Sequence, residues 1–340
     1  MRKIYIPFCC FYFLFGNLNS VQAQVTIVGF YNCENYYDTI NQVQVMDEEY
    51  LPNSDKHYSQ SVYQLKSRRL ASVIYALGKI NQADGLAMMG LVEIENKMVL
   101  TQLVNQPLLK KYHYQFIHFD SKDARGVDVA LLYQPAKFIP YQYKIYSLTD
   151  ATHFTAYATR DILYIKGKLA NQKVHVLVNH WPSRRGGERQ SAGNRLWASH
   201  ICKQIMDSVQ STDPFAKFIV MGDFNDNPSD KSLLQLQMTN PFLKMYQNGL
   251  GSLAYQDSWH LFDQILLSPN WEAEKGEKVR DSTLSNYKSI IYKNSAMIEM
   301  DGKYRGDPKR TYNGNQFRGG YSDHFPVALI FSLKLAENPQ

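Results

Sequence analysis

Nine side chains of the kinds that do acid–base or metal chemistry stand where apolar runs end. Phe218-Ile219-Val220-Met221 stops at Gly222-Asp223-Phe224-Asn225-Asp226-Asn227-Pro228. A short apolar run closed by a glycine, carboxylates and carboxamides reads as a buried strand with a polar end. In open α/β sheets ligands bind beyond the carboxyl ends of strands, so Asp223 and Asn225 are candidates for water activation or metal binding. Taken alone, the stretch reads equally well as a turn rich in Asp and Asn. The pattern recurs, however. The run 25–31 ends in Asn32-Cys33-Glu34-Asn35, the run 86–92 ends at Glu93, and the run 174–178 enters Asn179-His180. Asp263 lies inside the apolar run 261–267, and Asp323-His324 precedes the run 327–331.

Basic residues accompany these ends. His180 is followed by Trp181-Pro182-Ser183-Arg184-Arg185-Gly186-Gly187, which sets a group titrating near neutrality beside planar guanidinium donors shaped for phosphate oxygens. Arg125 occupies a turn between the runs 112–119 and 127–133. A solvated basic loop is the other reading of these arginines. Asp128, inside the second of those runs, needs a partner because an unpaired buried carboxylate is costly, and an arginine is the expected one.

The elements that must position these groups can be read from periodicity. Apolar residues at helical spacing from a Ser61 cap to Ile80, and again over 191–209, predict helices. β-branched and aromatic runs predict strands, with hairpins over 112–133 and, around Asn171-Gln172, over 162–178. Strand alternation puts Asn32 and Glu34 on one face and Cys33 on the other. Residues 272–312 are polar and predict a long excursion over the site.

Met1-Arg2-Lys3, the apolar run 4–15 and the small residues before Gln24 read as a secretory signal peptide over 1–23. Its apolar part is too short to span a bilayer, and no later run is long enough. The rest, 24–340, is about 315 residues, within range for one large α/β domain. Losing Arg2 and Lys3 lowers the formal charge from +6 to +4, which suits phosphate-bearing partners without demanding them. Cys33 and Cys202 remain, and spacing alone leaves a disulfide between them undecided.

Gly-Asp-Phe-Asn at 222–225 and Ser-Asp-His at 322–324, supported by Asn-Cys-Glu-Asn at 32–35 and by Glu93, resemble the endonuclease/exonuclease/phosphatase superfamily. That group contains pancreatic-type deoxyribonuclease, abasic-site endonucleases, neutral sphingomyelinases and inositol polyphosphate phosphatases. The resemblance runs from Asn32 to Val327. It implies an α/β (α+β) fold, a four-layer sandwich of two mixed β-sheets flanked by helices. It also implies attack of water on a phosphate ester with Mg²⁺ or Mn²⁺, Ca²⁺ being admitted as a structural ion. Carried over by motif, Glu93 holds the metal, with Asn32, Glu34 and Asp323 in or near its shell. Asp223 orients or deprotonates water, and Asn225 positions it and touches phosphate. His324, steered by Asp263, donates to a non-bridging oxygen, while His180 protonates the leaving oxygen or binds phosphate. Arg125, Arg184 and Arg185 are the expected phosphate contacts.

The segment 179–184 is similar to the Asn-His-x-x-Ser-Lys segment of secreted bacterial nucleases, with Arg184 where they carry lysine. Together with the leader this implies a secreted or periplasmic, monomeric phosphodiesterase acting on extracellular nucleic acid, with Tyr304 and Tyr312 available to stack on bases. A lipid, inositol or sugar phosphate hydrolase is the alternative within the fold, although no clear apolar membrane-docking element is visible. A non-catalytic binding module is the alternative outside it.

Overall fold

The computed structural model describes residues 25–149, 152–153, 159–255, 257–271 and 284–333. The expected leader over 1–23 lies outside them, and among the described residues no helix is long and apolar enough to cross a membrane. Strands β1 (Val25–Tyr36), β2 (Met88–Ile94), β3 (Gln115–His118) and β4 (Asp128–Tyr133) come first. They are followed by β5 (Phe138–Tyr146), β6 (Ile162–Leu169), β7 (Gln172–His180) and β8 (Phe218–Asp223). A short hairpin, β9 (Leu253–Tyr255) and β10 (Ser258–His260), precedes β11 (Asp263–Leu267) and β12 (Leu284–Ile291). A second short hairpin, β13 (Tyr312–Asn313) and β14 (Gln316–Phe317), leads to β15 (Val327–Leu333).

One sheet has the order β12-β15-β1-β2-β4-β3 and the other β11-β8-β7-β6-β5. Each contains one parallel pair, β1 with β2 and β7 with β8, between antiparallel neighbours. Parallel neighbours end at the same edge. Asn32 therefore comes level with Val92 in one sheet, and His180 with Asp223 in the other. β11 begins where β8 stops, which pairs Asp263 with Asp223.

Alternation along the strands sorts the apolar residues into three cores. Val28, Phe30, Met88 and Val92 of the first sheet meet Val174, Val176, Val178, Ile219 and Met221 of the second, with no helix between. Ile27, Tyr31, Met89 and Leu91 turn the other way, against Leu70, Ile74 and Leu77 of helix α1 (Gln60–Leu77) and the short helices α2 (Lys97–Val104) and α3 (Pro107–Lys110). Leu177, Val220 and Leu266 cover Ala198, Cys202, Ile205 and Met206 of helix α4 (Glu188–Gln210). Two mixed sheets face to face with helices outside is the expected four-layer fold.

Several local expectations shift. The N-cap of α1 is Ser59, whose hydroxyl accepts from Val62 N at 3.4 Å, rather than Ser61, and Ile80 lies beyond the helix. The β6–β7 turn is Ala170-Asn171, both left-handed with φ of 44° and 70°, one residue earlier than predicted. Among the described residues Asp128 pairs with no arginine. Its carboxylate meets His118 Nε2 at 3.2 Å and accepts from Ser121 N at 2.7 Å, since β3 beside it delivers the imidazole. Of the stretch expected to be an excursion, 272–283 lies outside the described residues, 284–291 forms β12 at the edge of the first sheet, and the remainder brings Arg310 to Asp323 and Thr311 to Glu34. Cys33 and Cys202 are both free and buried. They belong to different cores, on the outer faces of opposite sheets, so no bond can form between them.

Gly222 records how tightly β7 and β8 approach. A Cβ there would lie 2.7 Å from both Cβ and O of Asn179. Gly222→Ala is expected to lower stability by about 1–3 kcal/mol through this overpacking, read as a fall in denaturant midpoint with unchanged slope.

Candidate active site at the carboxyl ends of the parallel strands

Alternation carries Asn32, His180 and Asp223 onto the face between the sheets, continuing the rows Val28-Phe30, Val176-Val178 and Ile219-Met221. A hydrogen bond ties the two sheets there: Asn32 Nδ2 donates to Asp223 Oδ2 at 3.0 Å. The other oxygen, Oδ1, accepts from Asn225 N at 3.0 Å. Burial pushes the Asp223 carboxyl up to about 6, against the pull of the His324 charge. Its base form is therefore lost as the pH falls through that value.

Asn225 is left-handed, with φ of 50°. Its Nδ2 donates to Trp181 O at 3.0 Å and its carbonyl accepts from Arg184 Nε at 2.8 Å. Among the described residues only its Oδ1 lacks a partner, and that atom can accept a hydrogen bond from an attacking water.

His324 Nδ1 meets Asp263 Oδ2 at 2.7 Å, and Ser252 Oγ donates to the same oxygen at 2.5 Å. The far side of the ring, Nε2, is 4.0 Å from Asp223 Oδ2 and 3.9 Å from Asp323 Oδ1. Burial works against the imidazolium, but the carboxylates, Asp263 first, raise His324 well above its ordinary value. His180 is opposite in kind. Burial, then the charges of Arg160 and Arg125, hold it well below the ordinary value, so it is neutral where His324 is charged. Its Nε2 faces Asp223 Oδ2 at 3.8 Å and Glu93 Oε1 at 3.9 Å, while Nδ1 is buried without a hydrogen-bond partner among the described residues. A neutral imidazole suits a hydrogen-bond donor to phosphate better than the leaving-group acid.

Glu93 reaches this face by its backbone. Strict alternation would turn it towards α1 with Met89 and Leu91, but φ of 60° breaks the strand there. Glu93 Oε2 accepts from Asn35 N at 2.7 Å, which leaves Oε1 turned towards His180. Glu34, with φ of 49°, accepts at Oε2 from Thr311 N at 2.7 Å and lies 3.4 Å from the buried Lys66 Nζ. Burial raises Glu34 to about 7 despite that lysine. Asp323 is a third carboxylate, 3.6 Å from Arg310. Asn32, by contrast, has its amide engaged at both ends, since Oδ1 accepts from Glu34 N at 2.9 Å.

An all-oxygen set, with free oxygens on Glu93 and Glu34 and a carboxylate at Asp323, fits a hard divalent cation that keeps several waters. Among the described residues, three ligand-type atoms come within 4.8 Å of one another at His118, Asp120 and Asp128, and at Asp223, Asp263 and His324. In the latter group the His324–Asp263 hydrogen bond already uses the imidazole, which favours a proton-transfer unit over a metal ligand set.

The expected phosphate contacts divide. Arg125 is 40% exposed, 3.6 Å from Asp123, and Glu93 and Asp123 outweigh burial in raising its guanidinium. Arg185 is exposed. Arg184 is fully engaged: besides Asn225 O it meets Asp226 Oδ1 at 3.1 Å, Asp230 Oδ2 at 2.8 Å and Glu188 Oε2 at 2.6 Å. Tyr312 is buried against Phe317, so it offers no stacking face, whereas Tyr304 is half exposed. Sequence reasoning missed Lys66 and Arg160. Lys66 donates to Thr311 Oγ1 at 2.6 Å and Tyr321 O at 2.9 Å, and Arg160 ties Asp123 Oδ2 to Trp181 O at 3.1 and 2.8 Å. A lysine on the apolar face of α1, next to Tyr63 and Leu70 in helical register, was the one available signal.

Because Asp263 sustains the imidazolium, the His324–Asp263 pair stabilises the fold below the free imidazole value. That contribution is lost as pH rises through the raised one. Asp263→Asn should therefore lower kcat by about 10²-fold and move the alkaline limb of its pH profile to lower pH. An alkaline limb left in place would show that another group titrates there.

Residues 27–333 match the family described as Endonuclease/Exonuclease/phosphatase family. No curated protein matches the chain. Among solved structures, a family protein from Bacteroides thetaiotaomicron aligns with TM-score 0.55 at 14% identity, covering 92% of this chain and 100% of that one. Truncated Caenorhabditis elegans TDP2 aligns with TM-score 0.56 at 13% identity, covering 91% and 97%. A Bacteroides thetaiotaomicron mannosyl-6-phosphatase aligns with TM-score 0.52 at 14% identity, covering 91% and 100%. At such identity the structures speak for the fold alone, but the family match spans nearly the whole chain. The chain belongs to the endonuclease/exonuclease/phosphatase family.

Proposed function

We propose that this chain is a secreted or periplasmic, divalent-metal-dependent phosphodiesterase that cleaves nucleic acid and acts as a monomer. The observation that carries the chemistry is the approach of Asp223 Oδ2 to both histidines, 3.8 Å from His180 and 4.0 Å from His324, with Glu93 Oε1 across from it. A phosphoryl group in that space would meet a base, two imidazoles and a carboxylate-held cation.

Asp223 takes the proton of the attacking water, which Asn225 Oδ1 orients, while the bond from phosphorus to the ester oxygen breaks and the leaving oxygen takes up a proton from solvent water. His324, charged by Asp263, donates to a non-bridging oxygen as negative charge builds, and neutral His180 donates from Nε2 to a second oxygen. When bound at Glu93, Glu34 and Asp323, the divalent ion would supply charge neutralisation at the phosphoryl oxygens.

The polymer reading rests on a basic rim: Arg125, Arg310 and Arg318 are each about two-fifths exposed, and Arg185 is open to solvent. One observation favours a smaller ester. Arg184, the residue that most resembled a nuclease contact, is sequestered, and one structural neighbour is named a mannosyl-6-phosphatase.

A panel of plasmid DNA, RNA, bis-p-nitrophenyl phosphate, sphingomyelin, inositol phosphate and mannose 6-phosphate, with Mg²⁺ or Mn²⁺ and with chelator, separates these. Plasmid nicking abolished by chelator is expected. Turnover of the sugar phosphate alone would replace the substrate, and inertness towards every ester would sink the reading. Asp223→Asn should lower turnover about 10²–10⁴-fold with little change in Tm. Arg185→Ala should raise KM on the polymer and flatten its log–log salt slope by about 1, leaving the small diester unaffected.

A further inference from the structure

The geometry assigns Arg184 as a positioning residue that sets the catalytic conformation of Asn225, a role distinct from binding phosphate. This rests on Asn225 orienting the attacking water, as proposed above. Asn225 needs a left-handed backbone, with φ of 50°, to bring its amide back over the strand end. That region is uncommon for side-chain-bearing residues and persists where surrounding bonds over-determine it.

Three bonds do so here. Asp223 Oδ1 takes the backbone N–H at 3.0 Å, Trp181 O takes Nδ2 at 3.0 Å, and Arg184 Nε donates to the carbonyl at 2.8 Å. The first two come from the ends of β8 and β7. Only the third fixes the Asn225 carbonyl, and the side chain that makes it is held from every direction. Its Nη atoms meet Glu188, at the first position of α4, together with Asp226 and Asp230, and its guanidinium carbon lies 4.6 Å above the Phe262 ring. Asp230 also accepts from Asn227 N at 2.7 Å, so the same ion pair closes the turn after Asn225. A planar fork on a ring face is a geometry lysine cannot copy. Asp226 retains a second partner, Arg195 Nε at 2.7 Å, so removing Arg184 does not strand a buried carboxylate.

The test compares mature full-length protein with Arg184→Met and Arg184→Lys, by amide hydrogen exchange and by steady-state kinetics on bis-p-nitrophenyl phosphate with Mg²⁺. Both variants should keep a cooperative unfolding transition and exchange at least about tenfold faster over residues 224–230, with strand cores unchanged. Their kcat should fall about 10–10²-fold while KM stays within about twofold, because a misplaced water-orienting group costs rate rather than affinity. Unchanged exchange, or a raised KM with kcat retained, would overturn the assignment and return Arg184 to the phosphate. Should the wild type hydrolyse no ester, the proposed function fails, and the exchange measurement still decides whether Arg184 holds Asn225. If Arg184→Met does not fold, Asp230→Asn, which removes one of its anchors, must show the same faster exchange.

Discussion

Two sheets that bury their apolar faces against each other must still find a place for the polar groups that end their strands. Here those groups are pressed together, and the charged ones among them depend on polar partners. Asp223 is buried but receives Asn32 and Asn225, and His324 is buried but answers to Asp263. A lone charge in such a place would neutralise itself. Because Asp263 feeds only one of the two histidines, the site holds one imidazolium and one neutral imidazole close together, two different donors made from the same residue type.

The backbone makes a second contribution. Glu34, Asn35, Glu93 and Asn225 all have positive φ, and all lie where a parallel strand ends. At these positions the chain leaves the pleat, and Glu93, which alternation would send outward with Met89 and Leu91, is turned towards the rim. Left-handed glutamate is unfavourable, and in each case a hydrogen bond at or beside the residue supports the turn: Asn35 N on Glu93, Thr311 N on Glu34 and Arg184 on Asn225.

Behind the rim, cations not exposed to substrate keep acidic residues in place. Lys66 fastens Glu34 to the loop bearing Thr311 and Tyr321, and Arg160 links Asp123 to Trp181 beside His180. Arg184 and Arg195 share Asp226. Arginine in a loop rich in glycine has the same appearance in sequence whether it waits for phosphate or braces a turn, and only the placement of Asp226, Asp230 and Glu188 around it separates the two.

The sequence by itself determined the strands that carry chemistry, the helices that cover them and the family. Apolar periodicity and short motifs such as Gly-Asp-Phe-Asn are local properties, and local order survives in a string of letters. Tertiary structure decided which way each polar group points and what holds it. Glu93 enters the site through a φ that no propensity announces, Asp128 finds His118 rather than an arginine because β3 lies beside it, and Cys33 and Cys202 are parted by two sheets. Arg184 turns inward because three carboxylates from α4 and the turn after β8 surround it. Each of these outcomes depends on pairs distant along the chain, whose energies exist only once the sheets have met.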